Sequence, residues 1–262
     1  MNIFKRYFLF KALNSASKEN NRDNLLIAGF LNDHISLKIL IDGWFEKREL
    51  NALESFFSNS LYPTALCFDI GANIGNHSLF FSRIFDQVIS FEPYEKAFEL
   101  LKINSSQVDN IQVKNFGLSD TSKKLPAKMS VGNLGATSIV SSKEESNAIL
   151  KLDTLDSFVK ENSLEKISYL KIDVEGHEYP VLIGGENILR KGQAVISLEL
   201  EMTKHYHNCI ESINFLKSCG YVDAHFLKNT FSGAISSSFQ KISIDNFLKM
   251  PKKRHKMILF TK

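Results

Sequence analysis

The run YLKIDVEGHEYPVLIGGENIL, Tyr169 to Leu189, gathers Asp173, Glu175, His177 and Glu178 around Gly176. Read as a strand, Tyr169 to Val174 alternates, with Leu170, Ile172 and Val174 on one face and Tyr169, Lys171 and Asp173 on the other. A charge inside a buried strand needs a partner or an open sheet end, so Lys171 and Asp173 either pair or reach the carboxyl edge. A fifth strand pattern, with Val195, Ser197, Glu199 and Glu201 on one face, brings more acid to that edge. Several carboxylates around one cleft raise one another's proton affinity, which suits a general base that takes the proton of an alcohol. Asp173 and His177, whose type titrates near neutral pH, are the candidate bases, with Glu175 and Glu178 orienting acceptor hydroxyls. For each residue taken singly, helix capping, solvation or a plain first-turn position competes on about equal terms. His205-Tyr206-His207 follows at the same edge, and a His-x-His pair without a third ligand is a weak metal signal that fits a sugar as well. The carboxylates are of a type that holds a hard divalent ion, although nothing else in the chain supports a metal.

A second cluster, FDIGANIGNHS at Phe68 to Ser78, reads as an apolar strand carrying Asp69 and breaking at Gly71 into a helix. That is the geometry of a nucleotide-type cofactor site at the carboxyl ends of an open α/β sheet. A dinucleotide site wants Gly-x-Gly-x-x-Gly, but Asn73 holds the middle place and leaves Gly71-x-x-x-Gly75, so a pyrophosphate would meet a side chain. S-adenosyl-L-methionine has no phosphate and tolerates this turn, with Asp69 placed to receive its ammonium directly or through water. Asn76 belongs to the same loop. Gln87 to Phe91 is the next apolar strand and ends in Glu92-Pro93, twenty-one positions after Gly71, where an acid accepts hydrogen bonds from ribose hydroxyls. A lone loop Glu is ordinarily solvated; the Gly turn at the proper distance before Glu92 favours the ribose role.

The elements that must position these residues alternate from Thr64 onward as strand and helix, the pattern of a doubly wound, mostly parallel sheet with helices on both faces. Strands are expected near Ala65 to Ile70, Val88 to Glu92, Ile111 to Phe116, Tyr169 to Val174, Val195 to Glu201, Tyr221 to Phe226 and Met257 to Thr261. The stretch Asp120 to Leu150, rich in Ser, Lys, Gly and Asn with Gly132, Gly135 and Thr137-Ser138 at its centre, breaks the rhythm and reads as a hairpin or lid near the substrate entrance. Ahead of the sheet, residues 1–61 form an extension, with residues 62–262 as the cofactor-binding domain. In the extension Leu25 to Phe30 and Ile35 to Ile41 read as a strand hairpin, and Glu46 to Phe57 as a capping helix through Leu50, Leu53, Phe56 and Phe57.

At 262 residues the chain can bury one sizeable core, and 44% hydrophobic with 23% charged residues is ordinary for a globular protein without membrane spans. Cys67, Cys209 and Cys219 form no C-x-x-C pair and read as reduced thiols of a cytoplasmic protein. The first residues mimic a signal peptide only superficially, because the apolar run Tyr7 to Phe10 ends at Lys11, so secretion is not expected. Ile3, Phe4, Tyr7 and Phe8 among Lys5, Arg6 and Lys11 would allow at most a peripheral contact with the inner face of a membrane, against the plainer reading of a packed or frayed terminus. A net charge of +3 is too mild for a nucleic-acid footprint, and KMPKKRHK at Lys249 to Lys256 reads as a solvated loop.

Together the runs FDIGANIGNHS, FEP, LDT, YLKIDVEGHEYPVLIGGENIL and CGY resemble the FkbM-type methyltransferases, over roughly Trp44 to Tyr221. The resemblance implies a Rossmann-like, seven-stranded sheet and S-adenosylmethionine-dependent O-methylation of a hydroxyl, in that family on sugars or polyketides. Residue by residue, Asp69, Gly71, Asn73 and Gly75 match the cofactor loop, Glu92 the ribose acid, and Asp173, Glu175 and Glu178 the acidic run. Asn115 to Asp120, with Ser119, matches a stretch that lies near the adenine in such enzymes. The acceptor implied is a small molecule or glycan, in polysaccharide biosynthesis. A methyltransferase acting on RNA or protein lacks its Asn/Asp-Pro-Pro-Tyr amine site here. A binding protein without turnover would not need the surplus carboxylates.

Overall fold

The computed structural model describes residues 2–19, 25–30, 33–130, 133–139, 146, 148–227 and 238–262. In chain order the elements are α1 (Ile3–Glu19), α2 (His34–Asp42), α3 (Lys47–Ser58), β1 (Leu66–Ile70), α4 (Asn76–Phe81), β2 (Gln87–Phe91), α5 (Glu95–Ser105), β3 (Ile111–Lys114) and β4 (Gly117–Leu118). They continue with β5 (Lys123–Ser130), β6 (Asn133–Ile139), β7 (Ala148–Asp153), α6 (Leu155–Glu161), β8 (Ile167–Ile172), α7 (Glu178–Ile183), α8 (Glu186–Lys191) and β9 (Val195–Glu201). The last are α9 (Tyr206–Ser218), β10 (Asp223–Leu227), β11 (Phe239–Ser243), α10 (Ile244–Phe247) and β12 (Arg254–Thr261).

The main sheet has the order β11-β10-β12-β9-β8-β1-β2-β3, parallel from β9 to β3 and antiparallel from β9 outward through β12, β10 and β11. All seven expected strands are present, and β11 makes eight. Its sequence, FQKIS, leaves only Phe239 and Ile242 half-buried at an edge, too little alternation to announce a strand. The chain winds from β1 toward β3 and then returns to β8 on the other side of β1. The strand order therefore reverses between β1 and β8, where open α/β sheets bind ligands.

Alternation in the central strands splits the core in two. Phe68, Ile70, Leu170 and Ile172 pack in one cluster, while Cys67, Tyr169 and Val195 join Phe81 and Phe85 in the other. That second cluster also takes Leu50, Leu53 and Phe57 from α3, so the expected capping helix shares the core of the sheet.

Two expectations need correction. Ile35 to Ile41 is not a strand but the body of α2, because Asp33 caps it by accepting from the Ser36 amide at 2.9 Å, and a short apolar run carries no period of its own. Leu25 to Phe30 consequently has no hairpin partner among the described residues. Its polar backbone is met by side chains instead: Asn104 accepts from the Ala28 amide at 2.7 Å and donates to the Ala28 carbonyl at 3.0 Å. The stretch Asp120 to Leu150 does contain a hairpin, β5 with β6, which is part of a second sheet ordered β4-β7-β5-β6. Gly132 of the expected loop lies outside the described residues.

Candidate active site

A cavity of about 520 Å³ opens at the reversal point. Its floor is the turn after β1, where Gly71 has φ +82° and a Cβ would stand 1.9 Å from the Asp173 carbonyl oxygen. Only glycine lets the ends of β1 and β8 approach this closely. Gly71→Ala adds left-handed strain of roughly 1–2 kcal/mol to that overlap. The expected result is S-adenosylhomocysteine binding weakened at least about tenfold in titration calorimetry, and unchanged affinity would show that the turn does not shape the site.

Glu92, at the tip of β2, lines the cavity while 8% exposed. Its Oε2 accepts from the Asn73 amide at 2.9 Å and its Oε1 from the Tyr94 amide at 2.8 Å, so the acid fixes the loop as well as facing the cavity. Burial pushes its pKa up to about 7, against the pull of those two amides. Asn73, itself at φ 50°, also lines the cavity, and its buried Oδ1 has no hydrogen-bond partner among the described residues. Pro93, Tyr94 and Leu118, with Leu125, Leu150 and Leu152 from the second sheet, make an apolar wall. These residues fit S-adenosylmethionine: an acid for ribose hydroxyls, an orphaned oxygen for an ammonium, and an apolar face for adenine.

Asp69 stands elsewhere. It is fully buried behind the floor, accepts from Ser78 Oγ at 2.6 Å and lies 3.2 Å from Lys171 Nζ, so it does not face a cofactor ammonium as its sequence position suggests. Lys171 is the hub beneath the cavity, reaching Asp69 at 3.2 Å, Asp173 at 3.4 Å and the Gly71 carbonyl at 3.2 Å. Burial opposes its charge, but Asp69 and then Asp173 hold its pKa above the ordinary lysine value. The Gly71 carbonyl is its hydrogen-bond acceptor, and the two carboxylates are its ion-pair partners.

The acidic turn divides by position. Asp173, Glu175 and His177 line the cavity, joined by His205. Glu178 does not: it is 6% exposed, and its Oε1 accepts from the Gly176 amide at 3.0 Å and the Val174 amide at 3.4 Å. It clamps the turn rather than orienting an acceptor. Asn208 of α9 holds the same turn through the Gly176 carbonyl. Burial, followed by the charge of Asp173, raises Glu175 to about 7. Glu199 on the neighbouring strand is raised to about 8 by burial and then by the charge of Asp173. His177 is shifted down by burial and Lys123, and its Nε2 lies 2.9 Å from Ser119 Oγ. Because Ser119 gives its own proton to Asp120, the imidazole must donate, which fixes the Nε2–H tautomer. Ser119 is fully buried and meets the site through His177.

Asn76 lines the cavity and also clamps the backbone of Phe45, accepting from its amide at 3.0 Å and donating to its carbonyl at 3.1 Å. Phe45 and Ile35 thus bring the N-terminal extension into the cavity wall. Gly75 sits behind, at the start of α4 against Leu101. His207 is exposed and does not join His205 in the wall. Among the described residues no group of three His, Cys, Asp or Glu side chains could hold a metal. Sequence reasoning missed Arg254. The basic run is not simply solvated: Arg254 pairs with Glu199 at 2.6 Å and Glu201 at 3.6 Å, Lys256 with Glu46 at 3.4 Å, and Lys252 stacks on Tyr206. Arg254 offsets the acid beside the cavity, a role that a cluster of cations in sequence cannot announce.

The sequence profile described as Methyltransferase FkbM domain matches residues 69–222. The hexuronic acid methyltransferase AglP of Haloferax volcanii is 33% identical over 129 residues, 49% of this chain and 53% of that protein. The chain thus matches about half the length of that curated relative. Among solved structures, a methyltransferase FkbM from Methylobacillus flagellatus KT aligns with TM-score 0.49 at 13% identity, covering 97% of this chain and 58% of that one. A putative methyltransferase from Streptococcus mutans, solved with SAH, aligns with TM-score 0.46 at 12% identity, covering 83% of this chain and 100% of that one.

Proposed function

We propose, taking as premise that this chain belongs to the FkbM methyltransferase family, that it transfers a methyl group from S-adenosylmethionine to a hydroxyl of a sugar, glycan precursor or related natural product. The observation that carries this reading is the carboxylate of Asp173 at the cavity, seated between the Lys171 ammonium and the protonatable Glu199. When bound, S-adenosylmethionine supplies an electrophilic methyl group whose transfer leaves a neutral thioether. The chain's part is to position an acceptor oxygen and take its proton. Asp173 accepts that proton. Glu175 and His205, which line the same cavity, hydrogen-bond the acceptor's other hydroxyls, while His177, tied to Ser119, positions the turn. The relative's hexuronic acid substrate supports a glycan acceptor. The buried thiols Cys67, Cys209 and Cys219 suit a reducing, cytoplasmic compartment.

Glu92 holds the ribose hydroxyls in this reading, and its ionised form accepts hydrogen bonds more strongly than its neutral form. With its pKa near 7, cofactor affinity is expected to rise between pH 6 and 8. Glu92→Gln should remove that dependence and cost roughly 1.5–3 kcal/mol for each charged hydrogen bond lost. Calorimetry across this range checks it; an equal pH response in both proteins would detach Glu92 from the ribose. For folding the sign is opposite. A carboxyl whose folded pKa is raised favours the folded state while protonated, so the ligand-free protein should lose stability as pH rises from about 4.5 to about 7.

The reaction itself is tested with methyl-labelled S-adenosylmethionine and extracted cell-envelope glycans, including hexuronic acid glycans. Mass analysis should locate the label as a methyl ether. Label on nitrogen, or on RNA or protein alone, would overturn the assignment.

A further inference from the structure

Helix α1 is exposed all round over residues 2–12, its large apolar side chains included: Ile3 is 75% exposed, Phe4 69%, Tyr7 54%, Phe8 69%, Leu9 49% and Phe10 66%. A helix packed on its own body buries such residues, and a solvated one does not carry them. Helix α2, which α1 contacts, continues the surface with Leu37, Leu40 and Ile41, all exposed. At about 100° per residue, Phe10, Ile3, Tyr7, Phe4 and Phe8 fall within an arc of roughly 160°, with Lys5, Arg6 and also Leu9 on the remaining side. Lys11 falls inside the arc, where its Nζ sits 5.2 Å from the Tyr7 ring centroid and its long stem can carry the charge to the edge. The first eighteen residues contain Lys5, Arg6, Lys11 and Lys18 and no acid.

We propose that this surface is a peripheral docking site for an anionic lipid bilayer. An apolar patch of several large side chains marks an interaction surface, and its basic border selects the partner's sign. A second copy of the chain would bring two net cationic N-terminal segments together, whereas anionic headgroups neutralise them. The helix lies in the plane of the interface with its phenylalanines among the acyl chains and its cations at the headgroups. It does not cross, since no described helix is long and apolar enough to span a membrane. Because α2 also gives Ile35 to the cavity wall, one helix joins the docked surface to the site.

The test is flotation of the full chain with vesicles of phosphatidylglycerol and phosphatidylcholine in equal parts, and with phosphatidylcholine alone. Wild type should float with the anionic vesicles and hardly with the neutral ones. A basic residue near a charged membrane surface contributes about 1 kcal/mol, or about fivefold, so Lys5→Glu with Arg6→Glu should weaken partition at least about tenfold. A variant carrying Phe4→Ser, Phe8→Ser and Phe10→Ser should not float. Unchanged S-adenosylhomocysteine binding confirms that each variant is folded, since none of these residues lines the cavity. Absence of flotation by wild type would overturn the proposal, as would flotation that survives the serine variant or ignores the charge reversal. Sedimentation velocity supplies the rival outcome: a wild-type dimer that the serine substitutions dissociate, with no vesicle binding, would assign the surface to a second copy instead.

Discussion

Lys171→Met is expected to destabilise the protein by about 3–5 kcal/mol, the cost of leaving a buried charge without its partner. Asp69 is wholly buried and its Oδ1 depends on Lys171, 3.2 Å away, while Ser78 serves only Oδ2. Lys171 also donates to the Gly71 carbonyl, so its loss loosens the cavity floor as well as the core. Urea unfolding of the ligand-free protein measures the effect. The double variant Lys171→Met with Asp69→Asn should recover part of the loss, because the orphaned charge goes with its partner. A loss below about 1 kcal/mol in the single variant would mean that water reaches Asp69 and the pair is not a buried one.

Asp173→Asn is expected to slow methyl transfer by about 10²- to 10⁴-fold while cofactor affinity stays close to that of wild type. The amide keeps the size of the side chain and loses its capacity to take a proton. Its pH profile should be distinctive. Glu199 is raised to about 8 by burial and then by the negative charge of Asp173, so in wild type it still holds its proton near neutral pH. The wild-type rate should therefore climb until about pH 8, and in Asp173→Asn the climb should move to lower pH, because the charge of Asp173 is lost while burial still holds Glu199 above the ordinary carboxyl range. His177→Ala should cost less, since its Nε2 is committed to Ser119. Single-turnover rates across pH decide between them, and a His177 variant slower than Asp173→Asn would transfer the base to the imidazole.

The strand, the Gly71 break and Glu92 were legible because each rests on local chemistry: an apolar run, a backbone that only glycine tolerates, and a fixed spacing to the next strand tip. The acidic turn was legible for the same reason, as period-two alternation carries Asp173 to the carboxyl edge. Which way a carboxylate points within such a segment was not. Asp69 and Glu178 have the same composition cues as Glu92 and Asp173, yet Asp69 is taken by Lys171 and Glu178 by two amides of its own turn. Those partners come from the three-dimensional closure of β1 on β8 and of α7 on the loop before it. Helix α2 escaped for want of length: seven residues of mostly apolar sequence satisfy a strand and a helix alike until Asp33 caps one of them. Arg254 escaped because the acids it offsets lie more than fifty positions away in sequence.

The most direct measurement is a crystal structure of the chain with S-adenosylhomocysteine. The expected result places the ligand in the cavity between β1 and β8, its ribose hydroxyls hydrogen-bonded to Glu92, its amino group at Asn73 and its sulfur facing the side occupied by Asp173 and Glu175. A ligand lodged elsewhere, or one that leaves Glu92 bonded only to the amides of Asn73 and Tyr94, would contradict the assignment of this cavity as the site of methyl transfer.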